Sequence, residues 1–103
     1  MLYRVKARLI ADKMSEFYGI LTDGSVEKQY PDGQELLASM KRAVMTGDDV
    51  LEWYETCFCP TPLKHERATV LDRYFTDLVT ETISSPPTLS GKSFWDFLKR
   101  SRS

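Results

Sequence analysis

Residues 2–10, Leu-Tyr-Arg-Val-Lys-Ala-Arg-Leu-Ile, alternate between apolar and cationic side chains. In an extended chain Tyr3, Val5, Ala7 and Leu9 fall on one side, and Arg4, Lys6 and Arg8 fall on the other. A period of two is that of a half-buried β-strand. A sheet containing such a strand has one covered face and one open, polar face. A chain of 103 residues has room for one core of this kind. Hydrophobic residues make up 42% and charged residues 28%, with a net charge of -1, which excludes collagen-like, disulfide-scaffold and disordered classes.

The rest of the chain is read around that strand. Asp12 stands where a helix cap belongs, and Met14, Phe17, Tyr18 and Leu21 follow at helical spacing. The helix ends at Thr22-Asp23-Gly24 or runs on to about Lys28, and the pattern allows both. Pro31-Asp32-Gly33 marks a turn. Residues 35–45 predict a second strand, with Leu36, Ala38, Met40, Arg42 and Val44 on one face. Thr46-Gly47-Asp48-Asp49 is a hairpin-sized loop. Residues 50–59 predict a third strand, with Trp53, Glu55, Cys57 and Cys59 on one face and Glu52, Tyr54, Thr56 and Phe58 on the other. Its parity is ambiguous, because Glu55 shares a face with Trp53; a bulge would resolve the conflict. Thr61-Pro62 opens a second helix reaching about Phe75, with Val70, Leu71 and Tyr74 as its buried stripe. Residues 77–83 predict a short fourth strand, ended by Ser84-Ser85-Pro86-Pro87.

The element order, βαββαβ, is the ferredoxin-like α+β plan. It places two helices on one face of a four-stranded antiparallel-type sheet in the order 4-1-3-2. The expected organisation is a domain over residues 1–83, followed over 84–103 by a linker and an amphipathic, aromatic-basic arm. By element order and length over residues 2–83, the chain resembles the dimeric α+β barrel group, which includes small stress-responsive and monooxygenase-like proteins. That resemblance implies a homodimer in which two sheets pack through their open faces, or a pocket over a small ligand on one open face. Some members are associated with a His/Asp pair; here the one histidine, His65, is predicted on a helix start rather than on the sheet.

Charge is unevenly placed. The body is mildly acidic, whereas residues 84–103 carry Lys92, Lys99, Arg100 and Arg102 against Asp96. An acidic body argues against nucleic acid as a partner. No run approaches the roughly 20 apolar residues that span a bilayer, so no integral membrane contact is expected. Two cysteines are too few for a disulfide framework, and Cys57 and Cys59 are too close in sequence to bridge without strain. A soluble, cytoplasmic protein with reduced thiols is the expectation.

Several groups carry chemistry. Cys57, Cys59 and His65 have the donor types of a zinc site, but three ligands fall short of four, and free cysteines commonly serve as small core residues. Cys59 ahead of a helix is a weak candidate nucleophile. His65 and Tyr54 are weak candidates for proton transfer, and a solvated first helical turn explains His65 equally well. Arg4, Lys6 and Arg8 repel one another on a central strand and need partners; Glu52, Glu81, a second subunit or a bound anion would supply them. Tyr54 and Phe58 on the same expected face favour a protein interface. Trp95 and Phe97, within Phe94-Trp95-Asp96-Phe97-Leu98, either dock on the chain's own domain or engage another protein.

The leading expectation is a small non-catalytic binding or interaction protein acting as a homodimer, without cofactors. It would use the sheet face for self-association and the C-terminal arm for docking. The alternatives are a small-molecule enzyme of the barrel type, with a sheet-face pocket lined by His65, Tyr54, Arg4 and Arg8, and a metal-binding protein through Cys57, Cys59 and His65.

Overall fold

Strand β1 (Leu2–Leu9) lies one strand in from the edge of a sheet that has five strands among the described residues. The computed structural model describes residues 1–29, 33–56 and 67–100, apart from the side chain of Thr69. The other strands are β2 (Val44–Gly47), β3 (Val50–Thr56), β4 (Phe75–Ile83) and β5 (Lys92–Ser93). Their spatial order is β4-β1-β3-β2-β5, and every neighbouring pair is antiparallel. The fold is α+β, with helices α1 (Met14–Thr22), α2 (Gly33–Arg42), α3 (Asp72–Tyr74) and α4 (Phe94–Arg100). A π-helical turn over Arg67–Leu71 leads into α3.

The alternation of β1 survives without interruption: Tyr3, Val5, Ala7 and Leu9 are buried, and Arg4, Lys6 and Arg8 are exposed. The buried side meets Met14, Phe17, Tyr18 and Leu21 of α1 in one core cluster. Asp12 does not cap α1. It lies inside a single 3-10 turn, Ala11–Lys13, and no side chain caps either start. The C-terminal end that the pattern left open is closed at Thr22. There the Thr22 hydroxyl donates to the Tyr18 carbonyl at 2.8 Å, and Ser25 N–H donates to Asp23 Oδ1 at 2.8 Å. Those Ser25 hydrogen bonds hold the Asp23 carboxyl below its ordinary range.

Residues 35–45 are the principal correction. Gly33–Arg42 is a helix, and the second strand begins only at Val44. Leu36, Met40 and Ala43, all buried, also obey i, i+4, i+7 spacing. The stretch Gln-Glu-Leu-Leu-Ala-Ser-Met-Lys-Arg contains no β-branched residue and is rich in strong helix formers. Glu35 in the first turn, with Lys41 and Arg42 in the last, complements the helix dipole. Gly33 is required at the start of α2, because a Cβ there would sit 2.0 Å from the Val26 carbonyl oxygen.

The sheet has five strands rather than four because the C-terminal segment returns to it. Lys92 and Ser93 pair with Met45 and Val44 of β2. Gly91 makes the approach possible: a Cβ there would meet the Met45 carbonyl oxygen at 2.2 Å. Phe94 and Leu98 of α4 are then fully buried in the same cluster as β1, α1 and α2. An aromatic network joins the layers, with ring centroids 4.8 Å apart for Phe17 and Tyr74, 5.3 Å for Phe17 and Phe75, 5.6 Å for Trp53 and Phe75, and 6.2 Å for Phe75 and Phe94. Each such pair adds about 0.5–1.5 kcal/mol beyond its burial.

The fourth strand starts at Phe75, two residues before the expected point, and carries a bulge. Its register against β1 shifts between Lys6 and Arg8, where Asp77 takes φ 54. The predicted turn at Pro31-Asp32, the helix start at Thr61-Pro62, and the third strand beyond Thr56 lie outside the described residues. Among the described residues, no helix is long and apolar enough to cross a membrane.

Candidate functional site

The side of the sheet away from the core carries a charged pattern set by register. Each β1 cation has a neighbour on both sides: Arg4 lies between Tyr54 and Glu81, Lys6 between Glu52 and Val79, and Arg8 between Val50 and Thr76. Arg4 donates diagonally from Nε and Nη2 to Glu52 Oε1, at 2.9 and 2.7 Å. Arg8 approaches Asp77 at 3.6 Å, with both side chains more than half exposed. Such exposed pairs contribute about 0–1 kcal/mol each. Among the described residues, Lys6 and Glu81 make no ion pair. Arg4, Lys6, Glu52, Val79 and Glu81 are among the residues that line an open groove of about 240 Å³. Val79 is 62% exposed on this face.

The three cations share this side with three carboxylates, those of Glu52, Glu81 and Asp77, two of them in ion pairs, which leaves the face close to neutral. A neutral mosaic is poorly suited to concentrating a free anion and well suited to meeting another mosaic of the same kind. The expected partners of the β1 cations, Glu52 and Glu81, do lie on the flanking strands.

Beside this face, α2 grips the edge of β3. β2 is short and pairs no further along β3 than Glu52. Beyond that point, side chains of α2 replace a strand. The Tyr54 carbonyl accepts from Arg42 Nη2 at 2.7 Å, Arg42 Nε at 3.2 Å and Ser39 Oγ at 3.3 Å. Thr56 N–H donates to Glu35 Oε2 at 2.8 Å, and Arg42 Nη2 donates to the same oxygen at 3.0 Å. The Arg42 guanidinium also lies 4.3 Å from the centre of the Tyr54 ring. Tyr54, a weak candidate for catalysis on sequence grounds, is thus held by Arg42 and sits opposite Arg4.

Trp53 and Glu55 share the buried side of β3, both fully buried. No bulge separates them in the pairing with β1. The indole N–H of Trp53 donates to Glu55 Oε1 at 2.6 Å, so the carboxylate is bound within the core rather than turned out of it. A part-buried polar link joins α3 to α1, where the Tyr74 hydroxyl donates to Oε2 of the exposed Glu16 at 2.5 Å. Burial, reinforced by the Glu16 carboxylate, pushes the Tyr74 hydroxyl up to about 12.

In the arm, Trp95 and Phe97 are half-buried against the core. The Trp95 ring lies 5.5 Å from Tyr18, with the Lys41 ammonium 5.4 Å from its centre, and Phe97 stacks on Phe94 at 6.2 Å. Phe58, Cys57, Cys59 and His65 lie outside the described residues. Among the described residues, no three His, Cys, Asp or Glu side chains cluster so as to hold a metal ion. The clamp formed by Glu35, Ser39 and Arg42 was missed on sequence because that stretch reads as a strand; the seven-residue spacing of Glu35 and Arg42, two helical turns, is the signal that would have found it. Comparison with protein-family models, with curated proteins and with solved structures finds no match to this chain.

Proposed function

We propose that this chain is a non-catalytic interaction protein that works as a homodimer, built on a ferredoxin-like sheet whose open side makes protein contacts. One observation carries the reading: a β1 row of three cations, flanked by carboxylates and by exposed Val79, has no layer over it among the described residues. The order β4-β1-β3-β2 supports the ferredoxin-like plan, with β5 added at the flank. A surface of alternating charge is self-complementary under a two-fold operation, so a second copy of the chain suits it. The C-terminal arm contributes less to docking than its composition suggests, because Phe94 and Leu98 are committed to the chain's own core.

Sedimentation equilibrium across the accessible concentration range, at low and high salt, tests this. A dimer that weakens as salt rises supports an interface with exposed charges. A monomer at every concentration and salt overturns the reading.

A further inference from the structure

The free edge of the sheet is more specific than its face. We propose that two copies join edge to edge through β4, antiparallel, into one continuous ten-stranded sheet with Thr80 on the two-fold axis. This rests on the homodimer reading above, but moves the contact between the two copies from the open face to the sheet edge and gives it a register. The sheet ends at β4, nine residues long, and among the described residues no strand lies beyond it. The opposite edge is only the two residues of β5. Edge strands that stay single are commonly guarded by lysine or proline. From Leu78 to Ile83 the sequence is Leu-Val-Thr-Glu-Thr-Ile, with neither, and with four β-branched residues.

The register follows from faces and charges. Val79, Glu81 and Ile83 pair with Lys6, Arg4 and Leu2 and so lie on the open face, while Thr80 and Thr82 pair with Val5 and Tyr3 on the helix side. If both copies keep their open faces on the same side, a residue must oppose one of equal parity, so the axis passes through a residue. An axis at Val79 sets Glu81 against the partner's Asp77, and an axis at Glu81 sets two glutamates face to face; like charges directly opposite are unfavourable. An axis at Thr80 pairs residues 77–83 without opposing carboxylates. It lays Glu81 against the partner's Val79, the exposed aliphatic of this face. The partner's Lys6 then lies one strand further, roughly 10 Å away at the usual strand spacing. A glutamate and a lysine span that distance across a valine. The two side chains without an ion pair among the described residues thereby meet, and Thr80 faces the partner's Thr80.

Two full-length variants test it. Thr80→Lys places two ammonium groups at the axis and is expected to abolish the dimer in sedimentation while leaving the circular dichroism spectrum of the folded chain unchanged and removing the concentration dependence of its melting curve. Thr80→Cys, oxidised in air, is expected to give a covalent dimer, with mass spectrometry of the digest locating the bond between the two position-80 sulfurs, since directly opposed strand residues sit within disulfide reach. Thr82→Cys is the register control: its two copies would stand roughly 13 Å apart and should not bridge. If the wild-type chain is monomeric, the homodimer reading and this one fall together. If it is dimeric but Thr80→Cys gives no bond at position 80, the dimer stands and the β4 register is overturned. Should Thr80→Lys fail to fold, the cysteine pair decides alone.

Discussion

On one flank of the sheet, Glu35, Ser39 and Arg42 of α2 occupy the backbone of β3 at Tyr54 and Thr56, and β5 lies along β2. On the other flank, β4 has one bulge at Asp77, and among the described residues nothing comparable covers the stretch that follows it. Both flanks face the same problem: a strand edge presents polar groups that must find partners. The first flank answers it inside the chain, with helix side chains and a returning strand. The second leaves the answer to water or to another molecule. A helix supplied with Glu and Arg two turns apart can act as a strand substitute, and its presence on one side makes its absence on the other informative.

The largest test of this contrast is Phe94→Ala. Phe94 anchors β5 to the core, and removing a fully buried phenylalanine costs about 3–5 kcal/mol. Chemical denaturation should show that loss, and hydrogen exchange should show the outer edge of β2 opening first. Arg42→Ala withdraws two donors from the Tyr54 carbonyl and leaves Glu35 without its cation. At this half-buried site the expected cost is about 1–2 kcal/mol, with faster exchange at Thr56 N–H. A variant that retained full stability would mean that the guarded flank is no better held than the open one.

Asp77 tests the open flank alone. Its φ of 54 lies where a β-branched side chain is strained, so Asp77→Val should lose about 1–2 kcal/mol in denaturant melts. Asp77→Gly should stay within about 0.5 kcal/mol of the parent, because glycine accepts that backbone and the Arg8 contact is exposed.

The smallest effect at neutral pH belongs to Tyr74, which serves as a control within the core common to both flanks. Its hydroxyl is neutral when protonated, and the fold raises its titration from 10.0 to about 12. The folded state thus holds that proton more tightly than the unfolded state. The resulting stability is fully present below pH 10 and is lost as pH rises towards 12. In alkaline melts Tyr74→Phe should flatten that limb of the stability profile, leaving the behaviour of both edges unchanged.

How much of this could be read from the chain depended on the residue. The alternation of β1 and the Met14, Phe17, Tyr18, Leu21 stripe could be read directly, because each admits one period. Residues 35–45 could not, since Leu36 and Met40 satisfy periods of two and of nearly four alike. Helix propensity and the placement of Glu35 and Arg42 carried the discriminating information. The cation row and its partner Glu52 were legible, because strand parity places them on one face. The burial of Glu55 was not, since it depends on the Trp53 indole, a contact between residues two apart on the same side of the strand. The strand substitute on β3 was hidden for a different reason: it exists only once α2 is recognised as a helix.

The position of β1 carries one more consequence. It is first of the strands in the chain, yet both of its neighbours, β3 and β4, come from much later segments, and the core it covers includes Leu98. During synthesis the strand with the most obvious pattern must wait, unpaired, for residues 50–56 and 75–83 to leave the ribosome. Long-range pairing of this kind slows folding. Among the described strands β1 therefore waits longest for its partners, and charges alternating along a strand are the pattern that discourages association of an exposed apolar segment.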